Sequence, residues 1–87
     1  AEREFDIRNR HGLHARAAAQ LVRVANQYAS EVRLVKEGME VNGKSIMGIM
    51  MLAAGKGLKI TVTAEGHDAE NAVNALEELV NNRFGED

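Results

Sequence analysis

Four short stretches of the chain alternate apolar and polar residues, a pattern typical of strands that bury one face and expose the other. Their apolar members are Phe5 and Ile7, Val32 and Leu34, Met39 and Val41, and Leu58, Ile60, Val62 and Ala64. Glu37 and Gly38 separate the second stretch from the third, and a two-residue link is short enough for a hairpin turn. We therefore predict four strands, of which the second and third pair antiparallel.

Three other segments repeat their apolar residues at the spacing of an amphipathic helix, about 3.6 residues. These residues are Ala18, Leu21, Val22, Ala25 and Tyr28; Ile49, Leu52 and Ala53 within 45–54; and Ala69, Ala72, Val73, Leu76, Leu79 and Val80. Ser45 and Asp68 are suitable N-caps for the second and third helices. Gly55 and Gly57 are suitable residues to end the second helix.

The predicted order of elements is β-α-β-β-α-β-α, and it predicts an α+β fold. A sheet with one polar face and three one-sided helices can close its core in two layers. We expect an open-faced β-sandwich in which a four-stranded antiparallel sheet carries the three helices on one face. A length of 87 residues predicts a single domain, 1–87.

Composition narrows the class of protein further. The chain has no cysteine, which excludes disulfides and cysteine-ligated zinc sites. No apolar run reaches the roughly 18 residues that a membrane-spanning helix needs, so we expect a soluble cytoplasmic protein with no membrane contact. The net charge of −2 and the presence of only three aromatic residues argue against binding to nucleic acid.

The charges are unevenly distributed along the chain. No carboxylate occurs in residues 7–30, a segment that contains four arginines and two histidines: Arg8, Arg10, His11, His14, Arg16 and Arg23. Such a segment would attract an anion, although a solvated basic face is the simpler alternative.

Within this segment, residues 12–18 lie between the first strand and the first helix. A helix N-terminus presents unpaired amides and a positive dipole end, so the amides of Ala15, Arg16 and Ala17 are candidate phosphate ligands. His14 lies where the helix begins, and this positive end favours the neutral imidazole that a nucleophile requires. Arg16 could stabilise a transferring phosphoryl group through two hydrogen bonds.

The spacing of His14 and Arg16 restricts where the histidine can lie. On a regular helix, residues two apart point about 200° away from each other. His14 is therefore expected at the N-cap or just before it, with Gly12 providing a permissive backbone. A histidine that merely caps a helix, next to a surface arginine, is the alternative interpretation.

Two motifs make the sequence resemble a known family. Residues 12–16 read Gly12, Leu13, His14, Ala15, Arg16, and residues 42–48 read Asn42, Gly43, Lys44, Ser45, Ile46, Met47, Gly48. With the order of elements, they resemble HPr, the histidine-containing phosphocarrier of the bacterial phosphotransferase system. The resemblance implies that His14 accepts a phosphoryl group on Nδ1 from enzyme I and passes it to enzyme IIA components, supported by Arg16. It implies a monomer that uses no cofactor or metal.

The resemblance also assigns a regulatory and a docking role. It implies that Ser45 is phosphorylated by an ATP-dependent HPr kinase/phosphorylase in some lineages. It implies a partner-docking surface formed by Ala19, Arg23, Ile46, Met47 and Met50. The helical pattern supports this surface independently, because Ile49, Leu52 and Ala53 fill the buried stripe and leave Met47 and Met50 outside. The alternative is that these methionines complete the core.

Two residues depart from the family pattern. Ala17 replaces a proline that usually lies just inside the helix, and its presence is expected to loosen the helix start. His11 replaces a smaller polar residue, and we expect it to be a spectator rather than a ligand of the phosphoryl group. A metal site on His11 and His14 is disfavoured, because the segment supplies no acidic or cysteine ligand.

A competing motif lies at residues 38–45, which match the P-loop pattern G-x-x-x-x-G-K-[ST]. The preceding strand alternates apolar and polar residues, whereas a P-loop follows a central, apolar parallel strand. Residues 39–41 also have a strand pattern of their own. We therefore interpret Ser45 as a helix N-cap, and we keep a small protein-binding or regulatory module of the same fold as the alternative to a phosphoryl carrier.

Overall fold

The computed structural model describes residues 1–52 and 57–85. The elements are β1 (Glu2–Asp6), α1 (Ala15–Ala25), β2 (Glu31–Lys36), β3 (Met39–Asn42), α2 (Ile46–Met51), β4 (Lys59–Glu65) and α3 (Ala69–Asn81). A short turn, Arg83–Gly85, in which Arg83 and Phe84 have positive φ, follows α3. The predicted α+β class and the order β-α-β-β-α-β-α are confirmed.

The four strands form one antiparallel sheet in the order β1-β4-β2-β3. The interior strand β4 pairs Ile60 with Phe5 of β1 and Val62 with Leu34 of β2. Strands β2 and β3 form the predicted hairpin, in which Glu37 and Gly38 both have positive φ, as a tight two-residue turn requires. Because side chains alternate across a strand, these pairs place one apolar row on a single face of the sheet.

The helices cover this apolar face. Helices α1, α2 and α3 contribute buried stripes that join the strand residues in one cluster. Its largest fully buried members are Ile7, Leu21, Leu34, Ile49, Ile60 and Leu76. The helices of residues 1–52 and 57–85 are all too short or too polar to traverse a lipid bilayer.

Three details of the predicted elements differ from the structure. Leu58 is 40% exposed, because it precedes the first residue of β4 and lies at the end of the sheet. Met39 is 47% exposed on the edge strand β3. Helix α2 ends at Met51, and Gly57 instead forms a left-handed turn into β4. The predictions for Ala53, Ala54 and Gly55 lie outside the described residues.

Asp68 occupies the predicted N-cap position of α3, but its side chain does not cap the helix. Its carboxylate instead accepts hydrogen bonds from the amides of Ala29 (2.8 Å) and Ser30 (3.0 Å) and from the Ser30 hydroxyl. The hydroxyl bond, followed by the Ala29 amide bond, lowers the pKa of Asp68 from 3.8 to about 2. The carboxylate therefore ties the loop before β2 to the start of α3.

We expect Asp68→Asn to lower the melting temperature, because both carboxylate oxygens accept hydrogen bonds and the amide nitrogen of asparagine cannot accept one in place of either oxygen. The native pKa of Asp68 lies below its unfolded value. The stabilisation is therefore fully present above about pH 4 and is lost as the pH falls towards about 2. Melting curves followed by circular dichroism between pH 2 and 7 should show the parent and the variant converging at the acidic end.

The exposed carboxylate Glu65 at the end of β4 offers the control variant Glu65→Gln, which should follow the parent at every pH. Parent and Asp68→Asn curves that stay equally far apart down to pH 2 would contradict the assigned role of this carboxylate.

Candidate functional site

The connection from β1 to α1 is exposed at Arg8, Arg10 and His11 but anchored at a buried asparagine. The Nδ2 group of Asn9 donates to the carbonyl of Gly12 (2.8 Å), and the amide of Gly12 donates to the carbonyl of Asn9 (3.2 Å). Gly12 has φ +64°, a conformation that glycine adopts without steric cost. This closed turn leads the chain directly into α1.

His14 lies at the N-cap of α1, in the position expected from its spacing to Arg16. Its backbone is extended, with φ −75° and ψ 178°, and its carbonyl accepts the first helical bond from Ala18 (2.8 Å). Its Nδ1 atom accepts a hydrogen bond from the Arg16 amide (3.2 Å). A neutral imidazole that accepts at Nδ1 carries its proton at Nε2. The lone pair of Nδ1 therefore points at the amides of the helix N-terminus.

The first turn of α1 is an electropositive surface. Ala15, Arg16 and Ala17 are the first three helical residues, whose amides have no partner within a helix. The turn contains no acidic residue. The Arg16 side chain is exposed, and within residues 1–52 and 57–85 no carboxylate forms an ion pair with it. An anion that binds here would meet amide donors, the helix dipole and a guanidinium together.

His11 stands next to His14. The two rings meet edge to face, with centroids 5.8 Å apart and planes at 85°. In the part of the chain that the structure describes, no cluster of three or more histidine, cysteine or acidic side chains could hold a metal ion. The pair supplies only two of the ligands of a usual zinc site.

The predicted docking residues lie on α1 and α2, which pack against each other. On α1, Arg16, Ala19 and Arg23 recur at a spacing of three and four residues and so share one side of the helix. On α2, Ile46, Met47, Met50 and Met51 are exposed and line a shallow apolar depression, which we call the methionine patch. Met47 is 75% and Met51 64% exposed, whereas Ile49 and Leu52 are buried as predicted. The patch is therefore a surface and not the completion of the core.

Ser45 is the N-cap of α2. Its backbone is extended, with φ −120° and ψ 115°, and its Oγ accepts a hydrogen bond from the Gly48 amide (3.1 Å). It immediately precedes Ile46 and Met47 of the methionine patch. A charge added to Ser45 would stand at the border of this apolar surface.

The geometry of residues 38–45 is not that of a P-loop. Gly38 forms the hairpin turn, and residues 39–42 form β3. Gly43 is buried against β2, where an added Cβ would come within 2.6 Å of Val32 Cγ1. Lys44 donates from Nζ to the carbonyl of Tyr28 (2.8 Å). The motif therefore forms the hairpin turn, strand β3 and its contact with β2, and it does not form a phosphate-binding loop.

Asn9 was not predicted from the sequence as a site residue. An asparagine three residues before a glycine, in a loop between a strand and a helix, is typical of a turn closed by a side-chain bond to the backbone. That local signal was available, but its importance depends on the burial of the side chain, which the sequence alone does not give.

Comparisons with known proteins point to one family. A family model described as "PTS HPr component phosphorylation site" matches residues 1–82. The phosphocarrier protein HPr of Cupriavidus necator is 47% identical over 85 residues, covering 98% of this chain and 96% of that protein. The crystal structure of HPr-C-His from Thermoanaerobacter tengcongensis matches with a TM-score of 0.96 at 42% identity, over 100% of this chain and 98% of that one. A crystal structure of an HPr dimer from the same organism matches with a TM-score of 0.80 at 44% identity, over 94% of each chain.

Proposed function

The chain belongs to the HPr family, the phosphocarriers of the phosphotransferase system, and we propose that His14 is the residue that carries its phosphoryl group. The observation that supports this role is the direction of Nδ1, whose lone pair faces the first-turn amides of α1. A phosphoryl group bonded to this atom would lie at the positive end of the helix, where its oxygens find donors.

The transfer that we propose is a displacement at phosphorus. The Nδ1 lone pair of His14 forms the new P–N bond while the bond from phosphorus to phospho-enzyme I breaks and its electron pair returns to enzyme I. The Arg16 amide, which donates to Nδ1 before transfer, then donates to a phosphoryl oxygen, so its hydrogen bond is exchanged and not lost. Transfer to an enzyme IIA component reverses these steps, and His14 itself is restored.

We propose that three further donors stabilise the transferring group. The amides of Ala15 and Ala17 flank that of Arg16 in the first turn, and the exposed Arg16 guanidinium can reach an anion at the helix end. A guanidinium binds phosphoryl oxygens through two hydrogen bonds in one plane, which an ammonium cannot do. Ala17 supplies an amide that proline would lack, so this departure from the family pattern adds a donor.

We propose that the partners dock on the methionine patch together with Ala19 and Arg23 of α1. Methionine side chains adapt to differently shaped surfaces, which suits a carrier that meets enzyme I and several enzyme IIA components. We also propose that the chain acts as a monomer in the cytoplasm and uses no cofactor; the dimer described above is a property of the Thermoanaerobacter tengcongensis protein.

Incubation with phosphoenolpyruvate and enzyme I tests the proposed function. We expect a mass gain of one acid-labile phosphate, and imidazole nitrogen NMR should place it on Nδ1 of His14. A parent protein that gains no phosphate would contradict the proposal and favour the alternative, a protein-binding module of the same fold.

We further propose that phosphorylation of Ser45 by an HPr kinase/phosphorylase regulates docking, and Ser45→Asp imitates its charge. Aspartate is a good N-cap, so the melting temperature should stay close to that of the parent. The new charge borders the methionine patch and must lose water when a partner docks. We expect the affinity for enzyme I to fall roughly tenfold, about 1.4 kcal/mol, in a calorimetric titration.

The matched control is Asn71→Asp, which adds the same charge near the start of α3. It should bind enzyme I like the parent. Equal affinities of Ser45→Asp and Asn71→Asp would contradict a regulatory role for Ser45.

A further inference from the structure

We propose that Asn9 is a positioning residue for His14, an inference that rests on the proposed function. Among the residues that the structure describes, only Asn9 and Ser30 are polar and fully buried. Ser30 belongs to the Asp68 cluster that joins two loops. Asn9 is the buried polar group in the loop that carries His14.

Asn9 fixes both polar groups of Gly12. The Gly12 amide donates to the backbone carbonyl of Asn9 (3.2 Å), and the Gly12 carbonyl accepts from Asn9 Nδ2 (2.8 Å). The second bond lies in a buried place, so water cannot readily replace it. It holds Gly12 in its left-handed conformation at φ +64°.

This constraint reaches His14 through one residue. Leu13 separates Gly12 from His14 and is itself buried in the core. The backbone of His14 is thus set from its N-terminal side by the Asn9 turn and Leu13. Its ring is set from the C-terminal side by the Arg16 amide. Both constraints are needed to aim Nδ1 at the incoming phosphorus.

The position of Asn9 in the fold separates this role from a general structural one. Strand β1 ends at Asp6 and α1 begins at Ala15, so the side-chain bond of Asn9 belongs to no ladder and no helix. Its removal would leave the Gly12 carbonyl buried without that donor, and the turn would rotate to recover a partner. The expected consequence is a misaligned imidazole on an otherwise folded protein.

The test compares Asn9→Ala and Asn9→Ser with Ser30→Ala, which removes the other buried polar side chain. Rapid-quench transfer from phospho-enzyme I should show a maximal rate about tenfold to a hundredfold lower for Asn9→Ala. The half-saturating concentration should stay within about twofold of the parent, because the docking surface is untouched. Asn9→Ser keeps a hydroxyl donor and should recover part of the rate.

Nitrogen NMR of the His14 ring gives a readout that needs no phosphoryl transfer. In Asn9→Ala the Nδ1 signal should lose the signature of a hydrogen-bond acceptor, whereas Ser30→Ala should keep it. The inference is overturned if Asn9→Ala, or Asn9→Ser where the alanine variant does not fold, transfers at the parent rate or slows no more than Ser30→Ala. Failure of the proposed function would appear differently, as a parent protein that takes up no phosphate.

Discussion

His14→Asn will abolish the uptake of phosphate from phospho-enzyme I while the protein remains folded. Asparagine is among the best N-cap residues, so its side chain can replace Nδ1 as the acceptor of the Arg16 amide. It has no nucleophilic ring nitrogen, so no P–N bond can form. Intact-mass spectra after incubation with phosphoenolpyruvate and enzyme I should show the unmodified mass alone, with a melting temperature close to that of the parent.

The chain has three histidines, which allows a complete set of controls. His11→Asn and His67→Asn should each still gain one acid-labile phosphate. Retention of the phosphate in His14→Asn, or its loss in His11→Asn with a folded protein, would move the carrier site away from His14. His11→Asn is the more stringent of the two controls, because the His11 ring contacts the His14 ring edge to face.

Arg16→Ala will slow phosphoryl transfer by about two orders of magnitude, the cost of removing one donor aimed at developing charge. The side chain is exposed, so folding should be almost unaffected. Arg16→Lys should recover only part of the rate, because an ammonium cannot bind two phosphoryl oxygens in one plane. Rapid-quench measurements over a range of concentrations separate the maximal rate from the half-saturating concentration.

Arg10→Ala is the matched control for charge, because Arg10 is another exposed arginine of the segment without carboxylates. It should retain nearly the full transfer rate. If Arg10→Ala and Arg16→Ala slow transfer equally, the effect belongs to the overall positive potential of the segment and not to a contact of Arg16 with the phosphoryl group.

The strands and helices could be predicted from the sequence because their apolar residues recur with the period of each element, two residues in strands and about 3.6 in helices. The alternation around Ile60 and Val62 and the 3.6-residue spacing of α3 both correspond to buried faces in the structure. The alternation predicted burial wrongly at the end of a strand and at the edge of the sheet. Leu58 continues the alternation of β4 but lies outside the ladder, and Met39 lies on an edge strand.

Side-chain partners distant in sequence could not be predicted in the same way. Asp68 has the right residue type and position for an N-cap. Its carboxylate instead accepts hydrogen bonds from two amides and a hydroxyl at residues 29 and 30. Phe84 continues the apolar spacing of Leu76 and Val80, yet it is buried by a left-handed turn at Arg83 and Phe84 and not by a longer helix. In both cases the determining contact is tertiary.

The candidate site was more predictable than these contacts, because its geometry is local. A histidine two residues before an arginine cannot share its helix face, so His14 was expected at the N-cap or just before it, and it lies at the N-cap. The match of residues 38–45 to the P-loop pattern shows that a short sequence motif alone does not establish a phosphate-binding loop. Its glycines and lysine have structural tasks, since Gly43 packs against Val32 and Lys44 binds the Tyr28 carbonyl.

The position of β4 between β1 and β2 determines when the sheet can form during translation. β1 is made before the other strands, but among the described residues it pairs only with β4, so Phe5 has no strand partner until Ile60 has emerged from the ribosome. Until then the growing polypeptide can complete the local β2–β3 hairpin and little more of the sheet. The complete sheet therefore forms in a late step with long-range contacts. In this step β4, the last of its four strands to be translated, inserts between β1 and β2.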